Sequence, residues 1–297
     1  MFYQYESMGV DLSLHQTFEL GDAIFSIGFS SDGHYLAAGC LKSTQVFDIG
    51  VNAKIATFRV DIVKQGDRNL INDVRFTADS RYLVGACEDK NIYIWDITRK
   101  TLEKRLIGHE DEVQCLDIST ASDRLASGSR DSTIRVWNIT FGTTLQTINL
   151  WPEEVTSVAF SPDAKLLAGG TDEGIIHLWD TEAWALVYKL EAHTNTISSV
   201  IFSHQGDELV SSSWDNSVRI WRLSDEGGST TACGICKARL LGHSDKVRDL
   251  AKSPDGMWIV SGGSDQTLQF WDAKDGRRVL KIYFDEQVHL DSEANEG

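Results

Sequence analysis

Proline, cysteine and positive charge are all scarce in this 297-residue chain. Only Pro152, Pro162 and Pro254 occur, each in a turn setting, so long uninterrupted strand ladders are permitted. Five cysteines, Cys40, Cys87, Cys115, Cys233 and Cys236, are odd in number and scattered, which suits a reducing compartment better than a disulfide framework. Lys and Arg total 28 against 44 Asp and Glu, a net charge of −16. A field of that sign opposes phosphate, so direct nucleic-acid binding is not expected. No apolar run approaches the ~20 residues of a membrane span, and "MFYQYESMGV" lacks the basic and apolar regions of a secretory signal. The expected class is soluble, and cytosolic or nuclear, with no membrane partner.

Chemistry-bearing motifs are equally thin. No Walker-type phosphate loop occurs. "CGIC" (Cys233 to Cys236) is half of a tetrahedral zinc site with no second half, so it reads as a loop or strand feature. No metal and no cofactor are expected.

What is present repeats. "LASGSRDSTIRVWN" holds Ser127, Asp131 and Trp137, with His109 eighteen residues before the serine. Ser, His and Asp together suggest a hydrolase triad. The same spacing recurs in His193/Ser211/Asp215/Trp221 and in His243/Ser261/Asp265/Trp271. A hydrolase needs its triad once, so three copies read as structure and the chain is expected not to be an enzyme. Trp95, Trp137, Trp179 and Trp221 stand 42 residues apart, and Trp271 follows after 50. That period, with Gly-His early and Trp-Asp late, is the signature of WD-repeat propeller blades, and the chain resembles that family over nearly its whole length.

The resemblance implies an all-β WD-repeat β-propeller across 1–284, with six four-stranded blades near 24–60, 70–106, 113–150, 155–190, 197–240 and 247–284. Within the third, "VQCLDIS", "DRLASGS", "TIRVWNI" and "TLQTINL" alternate as strands should. "VDIVKQGDRN" and "SDEGGSTTACG" read as inserted loops, and 285–297 as an acidic disordered tail. "LSLHQTFEL" (12–20) is an additional outer strand. Either the chain is a truncated seven-blade ring, or six blades close and this strand packs elsewhere; a six-unit ring from a seven-blade ancestor is preferred.

In the resembling family the His, Ser, Asp and Trp form a buried hydrogen-bond chain within a blade. Here the second unit has Gly85 for Ser and no His. The fourth has Gly169 for Ser, Glu173 for Asp, and Trp151 near the His place. The first has Ala38, Lys42 and Phe47.

The resemblance also implies a top face for partners, made of residues early in each inner strand and just before each turn Asp. The first set is Phe25, Asn72, Gln114, Thr156, Ser198 and Arg248. The second is Glu88, Arg130, Asp172, Trp214 and Ser264. A large aromatic beside a tight turn should face solvent, so Trp214 is either a binding hot spot or packs sideways on a neighbouring loop. Arg130, Lys246 and Arg248 are placed to meet acidic groups on a peptide.

"FSSDGHYLAAGCLKSTQVFDI" and "VTSVAFSPDAKLLAGGTDEGIIHLWD" narrow the reading. Both resemble the C-terminal propeller of the fungal Tup-type general transcriptional corepressors. That resemblance implies a scaffold binding DNA-binding regulators through its top face. It also sets an expectation of a minimal relative or a fragment, because the family's N-terminal helical region and most of a last blade have no counterpart here. The alternative is an adaptor in a ubiquitin-ligase, RNA-processing or trafficking assembly.

Overall fold

A computed structural model describes residues 3–7, 16–60, 69–223 and 234–284. Among them every regular element is a β-strand. The inserted loops at 61–68 and 224–233 and the tail 285–297 lie outside the described residues.

Strand β1 is Tyr3–Ser7. The first four-stranded sheet holds β2 (Ile24–Phe29), β3 (Tyr35–Cys40), β4 (Ser43–Asp48) and β5 (Ala53–Arg59). The second holds β6 (Ile71–Phe76), β7 (Tyr82–Cys87), β8 (Asn91–Asp96) and β9 (Thr101–Ile107). The third holds β10 (Val113–Ile118), β11 (Arg124–Ser129), β12 (Thr133–Asn138) and β13 (Thr143–Asn149). The fourth holds β14 (Val155–Phe160), β15 (Leu166–Thr171), β16 (Ile175–Asp180) and β17 (Leu186–Glu191). The fifth holds β18 (Ile197–Phe202), β19 (Glu208–Ser213), β20 (Ser217–Arg222) and β21 (Ile235–Leu241). The sixth holds β22 (Val247–Lys252), β23 (Trp258–Gly263), β24 (Thr267–Asp272) and β25 (Arg278–Phe284). Each sheet is an antiparallel meander in chain order.

The chain divides into two compact units. One, Leu14–Ala192, carries the first four sheets; the other, Met1–Ser13 with His193–Gly297, carries the fifth, the sixth and β1.

One recipe builds the turn between the second and third strands in the second to sixth sheets. The residue after the turn acid takes a left-handed backbone: Lys90, Ser132, Gly174, Asn216 and Gln266 all have φ between 59° and 79°. The aspartate fixes the turn by accepting the N–H two residues on, as Asp131 does from Thr133 at 2.9 Å and Asp215 from Ser217 at 3.0 Å.

Packing between sheets is just as regular within the larger unit. The second sheet presents Ile71, Val74, Phe76, Leu83 and Trp95, and the first receives them with Ala37, Val46, Ala56 and Phe58 in a single apolar cluster. The same positions of the first sheet are exposed. Ile24, Ile27 and Phe29 are 50%, 56% and 64% exposed, whereas Ile71, Val74 and Phe76 are 0%, 0% and 8% exposed.

Of the additional strand expected at 12–20, residues 12–15 lie outside the described residues. Gln16–Leu20 is irregular and is held by side chains, not by a ladder. Gln16 Nε2 donates to Ile49 O at 3.2 Å and to Asn52 Oδ1 at 2.7 Å, and the Phe18 ring lies 4.8 Å from that of Phe47. The fifth strand of the last sheet is β1, which pairs antiparallel with β25 from Tyr3↔Phe284 to Ser7↔Leu280. Its physical reason is the edge: β25 would otherwise present an unpaired row of N–H and C=O groups.

Candidate functional site

The three repeated tetrads are hydrogen-bonded chains. Trp137 Nε1 donates to Ser127 Oγ at 2.9 Å, Ser127 Oγ lies 2.7 Å from His109 Nε2, and His109 Nδ1 lies 2.8 Å from Asp131. Trp221, Ser211, His193 and Asp215 repeat this at 2.8, 2.7 and 3.0 Å. Trp271, Ser261, His243 and Asp265 do so at 2.8, 2.8 and 3.0 Å. One proton assignment satisfies every atom. The indole N–H donates to the serine oxygen, the serine O–H to histidine Nε2, and histidine Nδ1–H to the carboxylate.

The electrostatics follow from that chain. Burial pushes the Asp131 and Asp215 carboxyls up, but hydrogen bonds from the histidine and from Thr133 or Ser217 outweigh it and hold both well below the usual range. Asp265 is lowered in the same way by His243. Burial lowers His193, which therefore stays neutral. All three serines are fully buried, and each oxygen accepts an indole N–H. These atoms tie the loop before the inner strand to the turn and to the third strand.

The degraded repeats contain substitutes that the sequence pattern did not reveal. Tyr93 stacks on Trp95 at 5.7 Å and donates its hydroxyl proton to Asp89 at 2.5 Å. His177 stacks on Trp179 at 5.5 Å and meets Glu153 at 2.9 Å, and Glu153 also holds Lys189 at 3.2 Å. Trp151, placed by sequence near the missing histidine, is instead 79% exposed. Tyr93 and His177 both stand two residues before the Trp. The readable signal is a ring-bearing polar residue there wherever glycine replaces the serine. A Cβ on Gly85 would lie 2.7 Å from the Trp95 ring, so the tryptophan has moved into the space a serine would fill.

The expected partner-binding residues cluster at one end of each sheet, for a reason absent from the sequence reading. Phe25, Asn72, Gln114, Thr156, Ser198 and Arg248 are each the second residue of an inner strand, and in each the pairing register skips that residue. A bulge re-aims its side chain away from the regular alternation. The turn residues are tied to the same end by backbone. Glu88 N donates to Leu70 O, Arg130 N to Glu112 O, Asp172 N to Glu154 O, Trp214 N to Thr196 O and Ser264 N to Lys246 O, at 2.8 to 3.1 Å.

Their side chains differ from sheet to sheet. Within Leu14–Ala192, Phe25 is exposed and Gln114 half-buried. Asn72 Nδ2 reaches Val113 O at 2.9 Å and Thr156 Oγ1 donates to Gly170 O at 3.1 Å. Glu88 accepts from Leu70 N at 3.3 Å and Asp172 from Glu154 N at 2.8 Å. Arg130 pairs with Glu112 at 3.0 Å and Glu154 at 3.6 Å, joining the third sheet to the fourth. In the other unit, Ser198 Oγ lies 2.8 Å from Ser212 Oγ. Trp214 does not stand free: it is half-buried, with Lys246 Nζ 4.2 Å and Arg248 Cζ 5.5 Å from its ring centroid.

Among the described residues no three His, Cys, Asp or Glu side chains are grouped to hold a metal ion. Cys236 is exposed at the start of β21, and Cys233 lies outside the described residues.

Comparison with known proteins agrees with this geometry. The general transcriptional corepressor tupA of Dictyostelium discoideum is 36% identical over 104 residues, 35% of this chain and 18% of that protein. The transcriptional repressor rco-1 of Neurospora crassa is 33% identical over 108 residues, 36% of this chain and 18% of that protein. The small ribosomal subunit protein RACK1y of Oryza sativa is 39% identical over 72 residues, 24% of this chain and 19% of that protein. The matched stretch thus spans less than a fifth of each relative. The family model described as WD domain, G-beta repeat matches residues 60–96, 100–138, 142–180, 184–222 and 234–272. These matches take in more than half of the sequence, and the chain belongs to the WD40 repeat family.

Proposed function

We propose that this chain is a non-enzymatic protein-interaction scaffold of the transcriptional corepressor type, working in the nucleus. Its bulge-and-turn sheet ends bind peptide segments of DNA-binding regulators. The observation that carries the reading is the pairing, in sheet after sheet, of a rigid frame with a variable tip. Hydrogen-bonded chains hold loop, turn and strand together, and the bulge residue and the turn residue projecting from that frame change identity each time. Such surfaces bind with little ordering cost and draw specificity from the tips. Similarity to tupA and rco-1 supports transcriptional regulators as the partners. The net charge of −16 supports DNA contact by those partners instead of by this chain.

Similarity to RACK1y supports a second reading, an adaptor in a cytoplasmic assembly. Affinity purification of the tagged chain with quantitative mass spectrometry separates the two, with Trp214→Glu in parallel and its folding checked by thermal melting. The corepressor reading expects nuclear tagged protein and transcriptional regulators lost from the variant. Ribosomal or other cytoplasmic subunits as the main recovery would replace it with the adaptor reading.

A further inference from the structure

At the bulge-and-turn end of the fifth and sixth sheets, two cations share one aromatic ring. Lys246 Nζ lies 4.2 Å and Arg248 Cζ 5.5 Å from the Trp214 centroid. The indole π-face attracts both and holds in place two groups that repel each other. The platform beneath them is fixed. Val247, between the two, is fully buried, and Ser264 N donates to Lys246 O at 2.8 Å. Arg248 Nε donates to Ser264 Oγ at 2.6 Å, which orients the guanidinium and leaves its two terminal nitrogens as a fork.

The acids among the described residues do not pair with these two cations, in a chain with 44 Asp and Glu. The two carboxylates beside them in sequence are turned to backbone: Asp245 accepts from Lys246 N at 2.7 Å and Asp249 from Leu250 N at 2.8 Å. At the matching turn position of the third sheet, Arg130 already has Glu112 and Glu154. Unpaired, pre-ordered cations on an otherwise acidic molecule await an anion from elsewhere.

The geometry points to a binding site for an acidic peptide segment formed by Trp214, Lys246 and Arg248. A peptide Asp or Glu carboxylate takes the Arg248 fork in a two-point contact, and Lys246 supplies a second charge beside it. Bringing in a negative group also relieves the repulsion between the two cations. This inference rests on the scaffold reading above and names the chemistry of what that scaffold holds.

The test is fluorescence anisotropy with the full chain and a fluorescein-labelled peptide of repeating Asp-Glu-Leu-Gly. Companion peptides carry Asn and Gln in place of the acids, with and without one phosphoserine. The acidic peptide should bind and weaken as sodium chloride is raised. Lys246→Glu with Arg248→Glu should reduce affinity at least about tenfold, as loss of an interface centre does. Arg248→Lys, which keeps charge but removes the fork, should fall between. Lys274→Glu, in the exposed turn after β24, should bind as wild type, and thermal melts should match for all variants. The assignment is overturned if the amide peptide binds equally well, if the double variant binds like wild type, or if only the phosphoserine peptide binds. Recovery of the same regulators from cells by the double variant would also remove the site while leaving the scaffold reading intact. An acidic peptide bound here without any regulator recovered would do the reverse.

Discussion

Each serine oxygen of a tetrad spends its proton on the histidine and a lone pair on the indole N–H. Ser211 accepts from Trp221 and meets His193, with no exposure to water. Removing the oxygen strands an indole N–H and an imidazole nitrogen in the interior. Ser211→Ala should therefore destabilise by about 1–3 kcal/mol, read as a lower urea midpoint at unchanged slope. The second sheet inverts the lesson. Restoring the family pattern there should harm the protein, because a Cβ at Gly85 meets Trp95 at 2.7 Å. Gly85→Ala is expected to cost about 1–3 kcal/mol by overpacking, and Tyr93→Phe about 1–3 kcal/mol by leaving Asp89 without its hydroxyl donor. Urea melts of both variants check this; a stabilised Gly85→Ala would mean that Trp95 moves freely. The sequence hid these substitutes for a physical reason. The three intact copies teach a template in which the residue two before Trp is Arg135, Arg219 or Gln269, an unremarked position that gains a role only when its neighbour becomes glycine.

At the scale of strands, repetition made most of the fold legible. Alternation, turn aspartates and a 42-residue spacing are local signals, and they place Phe25, Asn72, Gln114, Thr156, Ser198 and Arg248 on equivalent second positions. That each sits at a bulge was not legible, because a skipped pair depends on the partner strand. That Tyr3–Ser7 pairs with β25 was not legible for a related reason: β1 forms because β25 has an edge, which is a tertiary fact. Nor does the sequence distinguish Ile27 from Val74, two aliphatics at the same position of sister strands. The structure separates them completely, one exposed and one fully buried. Val74→Asp places a charge in the cluster with Phe58 and Trp95 and should abolish cooperative folding. Ile27→Asp should shift the melting temperature by only a few degrees, within the ±0.5 kcal/mol or so typical of surface changes. Thermal melts of the two variants side by side decide the matter. Equal loss would mean that the β2 face is covered in solution.

For the molecule as a whole, acidity and structure meet in the pH dependence of stability. Lowering pH from neutral toward the sequence pI of about 4.8 removes net negative charge and its self-repulsion, which favours the folded state. Asp117 acts in the same direction. Loss of surrounding water pushes its carboxyl up to about 6, even though it accepts Phe160 N at 2.7 Å. The folded chain therefore binds a proton between about 6 and the ordinary 3.8, where the unfolded chain has released it, and stability from this group rises as pH falls through that window. His177 and His193 oppose it. Burial lowers both, so the unfolded state protonates first below about 6.5 and stability declines. Asp131, Asp215 and Asp265, with Glu153, are lowered, so their contribution is full above the ordinary carboxylate values and is lost only as pH falls below them. The sum is a shallow profile from neutrality to about pH 5 and a steep fall below about pH 4, where the tetrad acids take up protons and release their histidines. Asp117→Asn should raise the melting temperature more at pH 7.5 than at pH 5, since it removes a burden carried only when the carboxyl is ionised. Asp215→Asn should do the opposite, lowering it most at neutral pH and converging on wild type in acid. Parallel profiles for wild type and both variants would mean that neither carboxyl governs the acid limb.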